Sequence, residues 1–212
     1  MGVIRRGILG GFRNKVANIV GTSWKGIAVI KSLPLSVANP RSAGQVFQRG
    51  RFTFLTKLGS IILSQWIKPL WDRGATRMSG FNAFISTNIN AFDATGKVLP
   101  NELRMARGRM IAPVINNMAV SAGNLTFLCN NPSGDRFALP TDRVFFLAVS
   151  SESFNVIGGG DTSKERGAGN AVSISVPYNQ DALGNESIHL WVAYLRADNT
   201  EVSEAGKGFL NL

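Results

Sequence analysis

The sequence predicts an α+β protein in which a basic region of β-ribbon and helices, residues 1–96, precedes an antiparallel β-sandwich, residues 97–212. Two observations support the first region. Residues 1–35 are rich in glycine and β-branched residues, and two stretches with the apolar spacing of amphipathic helices follow them. A third observation supports the sandwich, because short apolar runs alternate with turn residues from residue 97 onward.

The first predicted element is a β-ribbon with basic residues along it. Residues 16–24 and 27–33 are strand-like, and Lys25-Gly26 between them suits a two-residue hairpin turn. A two-stranded ribbon is marginally stable alone, so the following helix or another subunit is expected to cover it. The glycines of residues 7–11 are interpreted as backbone for tight turns or close packing, since no Gly-Lys-Ser/Thr ending follows them.

The second predicted element is a long amphipathic helix on which the rest of the chain is expected to pack. Ser42 and Gln45 have the spacing of a capping box, so the helix should begin here. Pro69 should end or kink it. The apolar residues expected on one face are Val46, Phe47, Phe54, Leu55, Leu58, Ile61 and Ile62.

A second helix and a series of short strands are predicted after residue 78. Ser79 is expected to cap the helix, whose apolar face runs to Phe92. An immunoglobulin-like or fibronectin-III-like sandwich without a disulfide is expected, with Trp191 as a core anchor. Residues 158–166 are interpreted as a glycine-rich loop with a solvated tip. The predicted strands are residues 103–110, 118–120, 125–129, 144–149, 171–176, 188–195 and 208–212.

Charge divides the chain unevenly. The first 71 residues contain eleven Lys or Arg and no Asp or Glu, whereas residues 111–212 contain 6 basic and 10 acidic residues. A basic surface of this kind would face either a polyanion or the acidic face of a protein, including a neighbouring copy. The predicted nucleic-acid or subunit docking residues are Arg5, Arg6, Arg13, Lys15, Lys25, Lys31, Arg41, Arg49, Arg51 and Lys57.

Candidate chemistry is sparse in the sequence, and a non-enzymatic protein is expected. Cys129 lies in an apolar strand pattern and is interpreted as a buried thiol. His189, the single histidine, is interpreted as a solvent-side or hydrogen-bonded residue, and Asp142 as a partner for nearby backbone N–H groups. No cofactor, metal, signal peptide or membrane span is expected.

Several of these residues resemble those of a family of uncharacterised proteins found in Bacteroidota genomes and their phages. The resemblance covers most of the chain and is most specific in residues 7–12, 15–26 and 39–52. Later matches are residues 78–82, 141–144 and 190–195. The resemblance implies a basic N-terminal region followed by a β-sandwich, and a phage or prophage setting. It supplies no catalytic residues.

Two functions fit these expectations. The first is a structural protein of a bacteriophage particle, as a capsid, decoration, spike or connector component in the virion, assembled in the host cytoplasm. Its expected partners are other virion proteins and copies of itself in a homo-oligomer, with DNA as a further candidate. The alternative is a cytoplasmic, sequence-tolerant nucleic-acid-binding protein with steep salt dependence. A carbohydrate-binding sandwich is disfavoured, since few surface aromatic residues stand out in residues 111–212.

Overall fold

The computed structural model describes residues 2–3, 14–24, 27–36, 39–75, 77–121, 123–132, 134–167, 169, 171–178 and 186–211. The chain divides into two compact units, residues 1–42 and residues 43–212. The predicted boundary between residues 96 and 97 falls inside the second unit.

The first unit contains a four-stranded antiparallel sheet with the order β1-β4-β3-β2. Ala17 and Asn18 form a turn in which Ala17 has a φ of 48°, so the single strand predicted over residues 16–24 is wrong and two strands pair across this turn. The predicted turn residues Lys25 and Gly26 lie outside the described residues. The strands are β1 Gly2–Val3, β2 Asn14–Val16, β3 Ile19–Trp24 and β4 Ile27–Ser32.

The long helix of the second unit begins where the capping pattern predicts and continues past the expected break. Helix α1 spans Ala43–Ile61, and a π-helical turn, Leu63–Ile67, leads directly into helix α2, Lys68–Trp71. In the π turn the Ile67 N–H donates to the Ile62 carbonyl oxygen at 3.1 Å. Pro69 lies in the first turn of α2, where its missing N–H is tolerated. Of the two effects predicted for it, an end or a kink, the helix therefore does not end at Pro69.

Helix α3 spans Gly80–Asn88 and is capped as predicted. The Ser79 hydroxyl oxygen accepts a hydrogen bond from the Asn82 backbone N–H at 3.3 Å. The helix ends before Phe92, however, because Phe92 leaves helical geometry and pairs with Val98 in an isolated antiparallel bridge.

Seven strands of the second unit form two antiparallel sheets. One sheet has the order β11-β10-β7-β8 and the other the order β5-β6-β9. The predicted strands at residues 118–120, 125–129, 144–149, 171–176 and 188–195 are confirmed, and the last strand begins and ends two residues earlier than the predicted range of 208–212. The strands are β5 Val114–Ser121, β6 Asn124–Asn130, β7 Arg143–Ser150, β8 Val156–Glu165, β9 Ala171–Pro177, β10 Ile188–Leu195 and β11 Gly206–Leu210.

Strands β7 and β10 are buried on both faces, which places them in the middle of the second unit. Their alternate residues point to two different cores. One core lies between the two sheets and includes Phe127, Phe146 and Leu190. The other lies between the four-stranded sheet and the helices, and includes Trp66 and Trp191. The α+β prediction is confirmed, and Trp191 is the core residue that the sequence predicts.

Residues 103–110 form no regular strand, contrary to the prediction. Leu103 and Met105 are buried, but the backbone of this segment bonds mainly to side chains. The indole N–H groups of Trp66 and Trp71 both donate to the Met105 carbonyl oxygen at 2.7 Å. The buried Asn88 amide donates to the Arg104 carbonyl oxygen at 3.0 Å, and its side-chain oxygen accepts from the Arg104 N–H at 2.7 Å.

Replacing Asn88 by alanine is expected to lower the free energy of unfolding by about 2 kcal/mol, since the part-buried N–H and carbonyl groups of Arg104 would both lose their partner. Urea denaturation measures this change. Asn82→Ala is the matched control, because Asn82 lies on the same helix with an exposed side chain. Equal losses of stability in the two variants would show that the hydrogen bonds of Asn88 to Arg104 do not hold residues 103–110 in place.

Candidate functional site

The exposed side of helix α1 is the candidate interaction site. Five residues spaced three or four positions apart lie on it and are solvent-exposed. We call this set the α1 outer face. Its two apolar members, Val46 and Ile61, are 54% and 61% exposed, although the sequence predicts them on the buried face. The set is Val46, Arg49, Thr53, Lys57 and Ile61.

Burial on the opposite side of α1 explains which apolar residues are left outside. Leu55, Leu58 and Ile62 are buried in the core beneath the helix. Val46 lies in the first turn, where the described residues offer little cover and where Phe47 alone is half-buried. The predicted apolar stripe is therefore wider than the surface available to bury it.

The predicted docking residues are distributed over both units. Lys15, Lys31 and Arg41 are exposed in the first unit, and Arg49 and Lys57 are exposed on α1. The remaining predicted residues of the first unit lie outside the described part of the chain. They are Arg5, Arg6, Arg13 and Lys25.

Arg51 differs from the other predicted docking residues because it is half-buried. Its guanidinium carbon lies 4.6 Å from the ring centroid of Phe47 and 5.9 Å from that of Phe92. These distances are typical of cation–π contacts. The Arg51 side chain therefore joins α1 to the segment after α3, and its charge is partly committed within the protein.

A buried polar cluster surrounds Arg166, so the prediction that this residue lies in a solvated loop tip is wrong. Residues 156–165 form strand β8, because Gly158 and Gly159 leave room for the Phe146 and Leu147 side chains of β7. Asp161 and Glu165 are exposed on this strand, as predicted, but Arg166 is only 4% exposed.

Two buried carboxylates face Arg166. Its Nη1 atom lies 3.6 Å from Asp135 Oδ2 and 4.0 Å from Asp142 Oδ2. Asp142 also accepts the Leu139 N–H at 2.8 Å, which confirms its predicted backbone role, and burial raises the pKa of its carboxyl group. The guanidinium carbon lies 4.5 Å from the ring centroid of Tyr194. The cluster holds residues 135–142 against the sheets.

A cleft of about 350 Å³ opens beside the edge strand β11. In the register of β10 and β11, His189 faces Phe209 and Trp191 faces Lys207, so these four side chains share one side of the sheet. The Lys207 ammonium donates to the Asn101 carbonyl oxygen. The residues that line the cleft are Pro100, Asn101, His189, Trp191, Lys207, Gly208 and Phe209.

No local sequence pattern predicts this cleft, since its residues come from three separate segments of the chain. The ring centroid of His189 lies 4.8 Å from that of Phe209, and 6.0 Å from that of Phe154. The period-two spacing of His189 and Trp191 is the sequence signal that places both on one face of β10. Only the pairing with β11 adds the other side chains.

Burial shifts the pKa values of the two remaining titratable candidates, Cys129 and His189. Cys129 is buried, as predicted, and burial raises the pKa of its thiol to about 12, which leaves it protonated at neutral pH. His189 is half-buried, and burial lowers the pKa of its imidazole. Among the described residues, no three His, Cys, Asp or Glu side chains are placed to hold a metal ion. None of the helices in the described ranges has the length and apolar content needed to cross a membrane.

Several solved structures share limited similarity with this chain. Superoxide reductase (neelaredoxin) from Archaeoglobus fulgidus, in the reduced form, is 11% identical with a TM-score of 0.31, over 49% of this chain and 91% of its own. A mutant of that enzyme gives a TM-score of 0.29 at 11% identity, over 50% of this chain and 94% of its own. The twitchin kinase region from C. elegans is 8% identical with a TM-score of 0.32, over 49% of this chain and 17% of its own. TM-scores this low support no conclusion about fold or activity.

Family membership rests on a different comparison. No curated protein matches the chain significantly. Residues 11–207 match the model of a family described as a family of unknown function (DUF6266). This match covers most of the chain, from strand β2 through the helices to the start of strand β11. The chain therefore belongs to the DUF6266 family.

Proposed function

We propose that this protein is a non-enzymatic structural component of a bacteriophage particle and that it assembles through the α1 outer face. The observation that carries this proposal is the exposure of Val46 and Ile61 on a helix that has basic and no acidic residues. These apolar side chains are exposed to water in the single chain. Their burial by a partner would make the free energy of association more favourable. The resemblance to proteins of Bacteroidota phages supports the particle as the setting.

The partner surface that fits the α1 outer face is an acidic face on a second copy of the chain. Residues 111–212 carry a net charge of −4, from 6 basic and 10 acidic residues. Complementary charge favours this pairing over contact between two basic helices. When two copies meet through two different faces, one basic face and one acidic face remain free at the ends. Further copies can then join the assembly through these faces. The exposed acidic residues of this region include Glu152, Asp161, Glu165, Asp198 and Glu204.

We also propose that strands β5–β11 are an immunoglobulin-like or fibronectin-III-like module that faces outward from the particle. The support is the division of seven antiparallel strands into sheets of four and three around one apolar core. In this proposal the basic β-ribbon of the first unit, with Lys15 and Lys31, contributes to docking on neighbouring subunits or genome.

The docking role predicts that Lys57→Glu combined with Ile61→Ser reduces self-association of the full chain at least tenfold. The change places like charge and a polar group on the α1 outer face, where opposite charge and apolar contact are required. Analytical ultracentrifugation over a range of protein concentrations measures the association constant. Lys97→Glu is the matched control, since Lys97 is exposed and does not belong to the α1 outer face.

A wild-type chain that remains monomeric at all concentrations would contradict assembly through a second copy. In that case, fluorescence anisotropy with unrelated DNA duplexes tests the alternative, a nucleic-acid binder. Affinity that falls steeply with salt and decreases in Arg49→Ala and Lys57→Ala would favour the alternative. Quantitative mass spectrometry of purified particles tests the setting, because a structural component is present at a fixed high copy number.

A further inference from the structure

One residue that lines the cleft beside β11 carries a buried hydrogen-bond donor without a partner. Trp191 lines the cleft and is 2% exposed, and its indole N–H has no hydrogen-bond acceptor among the described residues. The other two buried tryptophans of the second unit, Trp66 and Trp71, both donate to the Met105 carbonyl oxygen at 2.7 Å. A buried donor left unpaired is destabilising, so an acceptor from outside the chain would lower the free energy.

The cleft combines an apolar wall with several polar groups. Phe209 is 56% exposed and stands beside His189, so an aromatic surface faces the opening. The Lys207 ammonium uses one of its three donors on the Asn101 carbonyl oxygen, which leaves donors for a ligand. A volume of about 350 Å³ is large enough for a small cyclic molecule with its first hydration water.

Charge around Lys207 favours an uncharged ligand. Glu102 and Glu204 act on the Lys207 ammonium with opposite charge, and Arg104 acts on it with like charge. The two carboxylates offset part of the positive charge of Lys207, which reduces what an anion gains from entering the cleft. A neutral molecule with acceptor oxygens gains from the Trp191 and Lys207 donors without this limitation.

We propose that the cleft binds a neutral hexopyranose, as a free sugar or as a unit of a glycan. The C–H face of the ring packs on Phe209 and His189, and ring hydroxyl oxygens accept hydrogen bonds from the Trp191 indole N–H and the Lys207 ammonium. The half-buried imidazole of His189 supplies one further donor or acceptor. This site is separate from the α1 outer face and does not depend on the proposed assembly role.

Nuclear magnetic resonance of the full chain, labelled with ¹⁵N, tests this proposal with methyl glucopyranoside, methyl galactopyranoside and methyl mannopyranoside as probes. At least one of these sugars is expected to shift the Trp191 indole resonance while the Trp66 and Trp71 resonances stay fixed. Phe209→Ala is expected to weaken the fitted affinity about tenfold, which corresponds to about 1.4 kcal/mol. Phe52→Ala is the matched control, since Phe52 is 51% exposed on α1 and does not line the cleft.

Several results would overturn the proposal. One is the absence of any Trp191 shift with all three methyl pyranosides. Another is binding of benzoate in place of the sugars, which would mark the cleft as an anion site. A third is an equal loss of affinity in Phe52→Ala and Phe209→Ala. Lys207→Met, on the exposed edge strand, is a second variant that should weaken binding while the chain stays folded.

Discussion

Replacing Arg166 by methionine is expected to lower the free energy of unfolding by about 3–5 kcal/mol at neutral pH. The guanidinium group is the cation that faces the buried carboxylates of Asp135 and Asp142. Without it, the hydrogen-bond donors that remain for both carboxylates are backbone N–H groups, and Arg196 is the remaining cation that acts on Asp142. The contact with the Tyr194 ring is also lost. Chemical denaturation across a pH series measures the effect.

The pH dependence of the stability of Arg166→Met tests whether the unpaired carboxylates cause the loss. Burial already raises the pKa of Asp142 above its unfolded value, so the folded state binds its proton more tightly than the unfolded state does. Loss of the cation raises that pKa further. The deficit should therefore shrink as the pH falls through the pKa of Asp142. Addition of Asp142→Asn to Arg166→Met should recover part of the loss at neutral pH. A deficit independent of pH in the single variant would assign the loss to packing instead.

Replacing Gly108 by alanine is expected to lower the free energy of unfolding by about 3 kcal/mol. A Cβ atom at this position would lie 1.7 Å from the Val202 carbonyl oxygen, and that oxygen is fixed because it accepts the Met110 N–H at 3.2 Å. The backbone must move to relieve the overlap, which would disturb the bridge between Met110 and Ser203. Thermal and urea unfolding both measure this change.

Gly50→Ala is the matched control for Gly108→Ala. Gly50 lies inside α1, and apart from its chain neighbours and the adjacent backbone of the helix, no atom of the described residues comes within 4 Å of the place that a Cβ atom would take there. Alanine at this position should therefore stabilise the helix by up to about 1 kcal/mol. The two substitutions add the same methyl group and should change stability in opposite directions. A loss of stability in Gly108→Ala that is no larger than the change in Gly50→Ala would show that the close approach of Val202 does not require glycine at position 108.

The elements with a strong local signal could be predicted from the sequence. Ser79 caps α3, and the pattern at Ser42 places the start of α1 correctly, because capping depends on neighbouring residues. The apolar runs of β7 and β10 predict strands for a similar reason. Because both faces of these strands are buried, their apolar runs are continuous and lack polar alternation. For this reason the sequence does not show that alternate residues belong to two different cores.

The errors fall where long-range contacts override a local pattern. The apolar alternation of residues 103–110 suits a strand, but Trp66, Trp71 and Asn88 supply its hydrogen-bond partners from other elements. The glycines of residues 158–160 suit a loop, yet they pair as a strand because the large side chains of β7 fill the space above them.

By itself, the sequence determined the α+β class, the uneven distribution of charge, and the burial of Cys129 and Trp191, because composition and short-range periodicity carry these properties. The tertiary structure alone decided which apolar residues of α1 stay exposed, since exposure depends on how much surface the sheet offers beneath the helix. It also brought Asn101, Trp191 and Phe209 to one cleft. Strand register joins residues that are far apart in the chain, and no local pattern encodes that register.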